Sequence, residues 1–333
     1  MPQGQLAQVL RGLSSNPDER LLVGPQTMDD AGVVLLGQAE GLPAGVRLAL
    51  VLTVDFFPPV DEDPYFYGAI AAANALSDVY AMGGKPVSAL TLASLPKEFP
   101  AEWVGEIHRG GFEKIHAAGA SIAGGHTVQG QIQFGFSVTG VVDPERMTAN
   151  SGARAGDRVY LTKPLGMGTM TTAAKKGAIP WAELLPAAVQ MATLNDRSCA
   201  AMVAAGARAC TDVTGFGLVG HGRNIAASSG LTLRIETARV PLFGDVVALA
   251  GRGLNSGGAK RGRTALASEV SIAAGLDEAL VNLMFDAETS GGLLIAIPAA
   301  SASTLERELR ARGQLVAPIG ELVASTGVHV ELR

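Results

Sequence analysis

Basic residues form no block anywhere along this chain. Lysine and arginine total 26 against 31 acids, for a net charge of −5, which argues against nucleic acid or an acidic membrane surface as a partner. Long apolar runs are missing as well. Nothing approaches the ~18 residues needed to cross a bilayer, and the N-terminus lacks the charged-then-apolar pattern of a secretory signal. Cysteine is scarce: Cys199 and Cys210 sit among alanines without metal-ligand spacing. Both read as buried free thiols, which suits a reducing cytoplasm. Aromatic residues make up 5% of the chain while hydrophobic residues reach 47%, so the core must be built from Ala, Val, Leu and Ile. There is no Gly-x-x-x-x-Gly-Lys-Ser/Thr loop, and no spacing suggests a Ser–His–Asp or Cys–His nucleophile.

What the chain does contain is scattered acids beside small residues. Its 333 residues predict two domains, divided in the polar stretch Asp143–Gly156, giving 1–154 and 155–333. Strands and helices mix in both halves without a regular βαβ rhythm, which predicts α/β and α+β architecture. Residues 5–13 read as a short helix. Val46–Val54 is nearly continuous apolar, the mark of a strand buried on both faces, and Asp55 is expected to end it. Tyr67–Met82 reads as a helix of small residues closed by Gly83-Gly84. Ser121–His126 should be a short strand breaking into a double glycine, and Gln131–Val142 a half-buried strand. Trp181–Ala205 reads as one long helix, and Gly251–Arg263 as a glycine- and cation-rich loop.

The acids lie at the ends of these elements. Asp29 and Asp30 follow Thr27 and Met28, a pattern common in solvated turns, although the apolar run Ala31–Leu36 anchors this pair at a strand edge. Asp55 follows a buried strand. Asn74 and Asp78, four apart, share one face of an otherwise apolar helix, a costly arrangement unless something binds there. Asp212 stands before the glycine turn of Thr-Asp-Val-Thr-Gly-Phe-Gly-Leu-Val-Gly-His, 211–221, whose backbone N–H groups could face phosphate. Gly215-Phe-Gly217-Leu-Val-Gly220 also satisfies the dinucleotide pattern Gly-x-Gly-x-x-Gly, but an acid directly ahead of it would repel pyrophosphate unless a cation intervened. Mg²⁺ prefers oxygen ligands and is usually shared between carboxylates and substrate phosphates. The residues alone therefore lead to an enzyme using Mg–ATP, with His126 reading as a hydrogen-bonding turn residue.

Several motifs carry a resemblance further. Thr-x-Asp-Asp-Ala from Thr27, Thr-Val-Asp-Phe-Phe-x-Pro from Thr53, Asn-Ala-Leu-Ser-Asp-Val-Tyr-Ala-Met-Gly-Gly-Lys-Pro from Asn74, Ala-Gly-Gly-His to His126, Leu-Thr-Lys-Pro-Leu-Gly from Leu161, and the 211–221 motif resemble the selenophosphate synthetases (selenide, water dikinases). This family lies within the aminoimidazole ribonucleotide synthetase-like superfamily. With Thr-Ser-Gly-Gly-Leu-Leu and Ile-Gly-Glu-Leu, the motifs keep the family's order from Leu21 to Leu322. The resemblance implies a two-domain fold with an N-terminal sheet domain forming a homodimer and a C-terminal α+β domain. It implies the conversion of ATP, selenide and water to selenophosphate, AMP and phosphate. Asp30, Asp78 and Asp212 match the family's Mg²⁺ ligands. Thr27, Met28, Asp29, Asp55, Asp78, Gly124, Gly125 and His126 match its ATP-contacting positions. Room is left for a monovalent cation such as K⁺.

Three departures accompany the match. Met28 stands where the family usually has Arg. Gly257-Gly-Ala-Lys-Arg-Gly262 lacks the Thr and Asn of the family's Gly-Gly-Thr-x-x-Asn. The family's Cys or selenocysteine nucleophile and its nearby Lys are expected upstream of Met1, as a UGA codon read as stop or a trimmed start would leave it, so the given chain is expected to fold without making appreciable selenophosphate. Two other readings stand beside the dikinase: a nucleotide-binding paralogue without that chemistry, and a superfamily kinase for another acceptor, such as a thiamine-monophosphate kinase.

Overall fold

The computed structural model describes residues 18–25 and 28–333; the helix expected at 5–13 and Thr27 lie outside them. In the first half, strands β1 (Leu21–Val23), β2 (Gly32–Leu36) and β3 (Leu48–Phe57) lead into helix α1 (Pro64–Ala81). Strand β4 (Lys85–Leu95), helix α2 (Ala101–Ala117), β5 (Ser121–Gln129) and β6 (Gln133–Val142) follow. The six strands form one sheet in the order β1-β2-β3-β6-β4-β5. Within it, among the described residues, only the β4–β5 pair is parallel, and α2 supplies its crossover.

Helix α1 is the organising element. Asp63 caps its start by accepting from Tyr65 N at 2.8 Å, with Pro64 at the first helical position. It ends ahead of Gly83, whose φ is +74°. From Tyr67 to Ala81 every residue is buried, which is why the helix is apolar around its circumference. Its small residues allow close packing against α2. A Cβ on Gly68 would lie 1.8 Å from Ile107 O, and one on Gly110 would lie 2.0 Å from Tyr65 O, so the two backbones meet directly.

The second half contains β7 (Asp157–Leu161), α3 (Met167–Lys175), α4 (Leu185–Met191), α5 (Asp196–Ala205) and β8 (Ala209–Asp212). Next come α6 (Gly217–Ser228), β9 (Leu231–Ile235), α7 (Val246–Gly251), α8 (Gly257–Ala265), β10 (Val270–Ile272) and α9 (Glu278–Met284). Strand β11 (Leu293–Pro298), α10 (Ala302–Ala311), β12 (Ala317–Ala324) and β13 (Val330–Leu332) complete it. Its sheet runs β10-β13-β9-β12-β7-β11-β8. One apolar core joins α1 and the first sheet to α5, β11 and α10. No helix among the described residues is long and apolar enough to cross a membrane.

Several expectations need correction. Asp55 does not end its strand, because β3 continues through Phe57, hydrogen-bonded to β6 as far as that residue. Nor is that strand buried on both faces. Leu52 is 42% exposed and Val54 and Phe56 are each 54% exposed, so alternate residues point away from the helices. Strand β5 does not end at Gly124-Gly125 but continues through them, paired to β4, with a register shift between Ile122 and Gly124. The single helix expected over Trp181–Ala205 is interrupted between α4 and α5, where Asn195 is turned inward. The loop expected over Gly251–Arg263 contains α8, capped by Ser256, whose hydroxyl accepts from Gly258 N at 3.1 Å.

Candidate functional site

The site gathers where α1 meets β3, β8 and the start of β2. Asn74 and Asp78, one turn apart on α1, are both buried. Thr53 and Asp55 leave β3 on the side facing them. The Thr53 hydroxyl donates to Asp78 Oδ2, and Asn74 Nδ2 donates to Asp55 Oδ2 at 2.6 Å. From the other half, β8 ends with Asp212 buried beside the cluster. Carboxylate oxygens of Asp30, Asp78 and Asp212 all lie within 4.8 Å of one another. Four sequence-distant segments thus converge on one point.

The loop carrying Asp29 and Asp30 is held from the interdomain linker and from β8. Asn150 N donates to Asp29 Oδ1 at 2.6 Å, and Asn150 Nδ2 donates to Met28 O at 3.0 Å. Met28 has φ +53°, an unfavourable backbone for a side chain of its size, maintained by these anchors. Thr211 Oγ1 donates to Asp30 Oδ1 at 2.7 Å. Behind it, His221 Nε2 accepts from Thr214 N at 3.1 Å, leaving the ring proton on Nδ1, which faces Thr211 Oγ1 at 3.3 Å. Burial pushes the His221 pKa down to about 4, so the imidazole is neutral. Its role is to orient Thr211. The glycine turn is also less open than its sequence implies, since Thr214 N is taken by His221 and Gly217 N by Thr214 O.

Electrostatics make the cluster expensive without a cation. Burial raises Asp78 well above the usual carboxylate range, and the charges of Asp55, Asp212 and Asp30 add to this. Burial and then Asp212 do the same to Asp30. Burial raises Asp212 to about 7 against a lowering hydrogen bond from Ser77, and raises Asp55 to about 6 against one from Asn74. Two buried carboxylate oxygens, Asp30 Oδ2 and Asp212 Oδ2, have no hydrogen-bond partner among the described residues. Unsatisfied anionic oxygens converging at this spacing fit a hard divalent cation with oxygen ligands, such as Mg²⁺.

The sign of the pH dependence follows. An acid whose folded pKa is raised favours folding below its unfolded value, here 3.8, and loses that contribution as pH rises through the folded pKa. With chelator present, Asp212→Asn should match wild type only at or below about pH 4, near the unfolded value, and pull ahead as pH rises from there through about 7. It should then exceed wild type in Tm by ~5 °C at pH 8, because the neutral amide cannot ionise in the cluster. Thermal unfolding at pH 4 and pH 8 checks this, and an unchanged gap would contradict it.

Gly124, Gly125 and His126 stand elsewhere. In the sheet register Phe56 pairs with Gly135, Gly135 with Leu92, and Leu92 with His126. His126 therefore shares the open face of the sheet with Phe56, opposite the face carrying Thr53 and Asp55. Thr211, Asn150, Ser77 and Asn195 support the site but were not singled out from the sequence as doing so. Thr211 alone had a signal, its place directly before Asp212.

Comparison with known proteins agrees with this architecture. The family described as AIR synthase related protein, N-terminal domain, matches residues 28–142, and its C-terminal-domain counterpart matches residues 154–333. A "Selenide, water dikinase" of Geobacter metallireducens is 44% identical over 310 residues, covering 92% of this chain and 88% of the relative. A solved structure of tt0281 from Thermus thermophilus superposes with TM-score 0.74 at 22% identity, covering 99% of this chain and 96% of that one. AaThiL complexed with AMPPCP and TMP gives 0.70 at 20% identity, with coverages of 99% and 93%.

Proposed function

The chain belongs to the selenide, water dikinase family, an ATP-dependent group of kinases, and we propose that its phosphoryl chemistry is carried out at the Asp30–Asp78–Asp212 cluster. The reaction takes ATP, selenide and water to selenophosphate, AMP and phosphate. The observation that carries the site assignment is the convergence of three carboxylates with two unpartnered buried oxygens. These residues would hold Mg²⁺, which when bound neutralises triphosphate charge and stabilises charge on the transferring phosphoryl group. Asp55 and Asp29 lie at the margin of the cluster, where each accepts from an amide donor, Asn74 Nδ2 and Asn150 N. We assign them to the nucleotide, together with Met28, which offers no cation to the phosphates, and Thr27.

The division at 154/155 belongs to the same reading, as does a two-fold homodimer. Support for the dimer is the uncovered sheet face, where Leu52, Val54, Phe56, Leu90 and Val128 are exposed together. Gly124 and His126 lie on that face, so their contact with ATP would be made to the partner copy's nucleotide rather than to their own.

Phosphorus NMR tests the function. Protein, Mg–ATP and selenide are incubated using the given chain and, separately, a version carrying a Cys- and Lys-containing segment ahead of Met1. A selenophosphate signal with AMP from the extended protein is the expected result. Neither product from both proteins would overturn the reading.

A further inference from the structure

Lys163 takes no part in the site described above, and it is only 4% exposed. A buried ammonium requires strong partners, yet this one hydrogen-bonds no carboxylate among the described residues. Its Nζ donates to two main-chain carbonyls, Thr193 O at 2.7 Å and Ser290 O at 2.8 Å. Burial brings its pKa down to about 7, with Asp212 acting in the opposite sense.

The two segments it joins are the ones that grip α1. Ser290, held at φ +50°, donates its N–H to Asn74 Oδ1 at 2.9 Å, and Asn74 in turn holds Asp55. Two residues after Thr193, Asn195 Nδ2 donates to Gly291 O and to Ser77 Oγ, both at 2.9 Å. Asn195 thereby holds Ser77, whose hydroxyl interacts with Asp212 and favours its charged form. One ammonium therefore ties together the 193–195 and 290–291 segments, and each segment reaches a carboxylate of the site through one intervening side chain, Ser77 or Asn74.

We propose that Lys163 is a positioning residue for the acid cluster, fixing Asp55 and Asp212 by clamping the carbonyls of Thr193 and Ser290. It does not touch phosphate. Its loss would leave every carboxylate present but misaligned, the signature of weakened outer support around a metal. The inference rests on the cluster's being a divalent-cation site.

The experiment is Mn²⁺ binding, followed by electron paramagnetic resonance in the full chain without selenide, for wild type, Lys163→Met and Asn195→Ala. Lys163→Met keeps the length of the side chain and removes its donors. Asn195→Ala keeps the ammonium and breaks the link to Ser77. Each variant should raise the Mn²⁺ Kd by about tenfold or more, and the two effects together should fall short of additive, because they act through one network. In the NMR assay with the extended protein, excess metal should restore most of the turnover. Unchanged Mn²⁺ affinity in a folded variant would overturn the proposal, as would turnover lost at every metal concentration with unchanged affinity. If Lys163→Met does not fold, Asn195→Ala alone decides by the same affinity criterion. Wild type failing to bind Mn²⁺ would instead sink the metal-site reading itself.

Discussion

Asp78→Asn, and separately Asp212→Asn, should lower selenophosphate formation by ~10²-fold or more in the extended protein, and Mg²⁺-dependent nucleotide affinity by about tenfold or more. Both residues are buried, so neither can be replaced by water-borne charge. Each amide keeps the shape of the acid but removes one of the converging negative charges. Asp78 is the more central of the two, influenced by Asp55, Asp212 and Asp30 together, and should show the larger effect. Calorimetry with Mg–ATP, run with and without chelator, separates the loss of metal-mediated binding from loss of the fold. Unchanged Mg–ATP affinity in both folded variants would remove these carboxylates from the metal role. The predicted gain in stability of metal-free Asp212→Asn at pH 8 makes the pairing diagnostic, since a merely damaged core would lose both stability and binding.

How much of this could be read in the sequence depends on whether the determinant was local. Asn74 and Asp78 were legible because two polar residues four apart on an apolar helix have few alternatives to a shared polar contact. Asp212 was legible from the glycine turn behind it. The course of β3 was not. Phe56, Phe57 and Pro58 look like an ending, yet β6 supplies a hydrogen-bonding partner as far as Phe57, and pairing with a strand so distant in the chain leaves no local trace. The same strand misled on burial: Val46–Val54 reads as a run covered on both sides, whereas in one chain helices cover only one side of the sheet. The break before Asn195 is likewise a tertiary effect, imposed by Ser77 and Gly291. Lys163 gave no sign of burial, because the carbonyls that receive it come from residues 30 and 127 positions away.

The open face of the first sheet leads to the other large effect. Val54→Lys combined with Phe56→Lys should turn a dimer into a monomer at micromolar protein. Val54 and Phe56 are adjacent on the uncovered side of β3, each 54% exposed in the single chain. Across the sheet Val54 pairs with Ser137, which pairs with Leu90, so a second copy would find apolar side chains on β3 and β4 flanking one serine. Covering a Val or Phe side chain contributes roughly 1.5–3 kcal/mol, and a two-fold interface counts each residue twice. Two lysines per chain would remove that gain and bring four like charges together, at a cost of several kcal/mol if they were buried unpaired. The inward side of β3, with Thr53 and Asp55 against α1, is left intact, so the fold and the carboxylates proposed to bind metal should survive. Light scattering should then give the 34.1 kDa of one chain for the variant and about twice that for wild type. Nucleotide affinity should fall together with dimerisation, because Gly124–His126 would no longer reach a partner's ATP. Divalent-cation binding, which needs only residues of one chain, should change little. A wild type that is already monomeric would rule out the sheet-to-sheet dimer, and a monomeric variant with full ATP affinity would return Gly124–His126 to a purely structural role in β5.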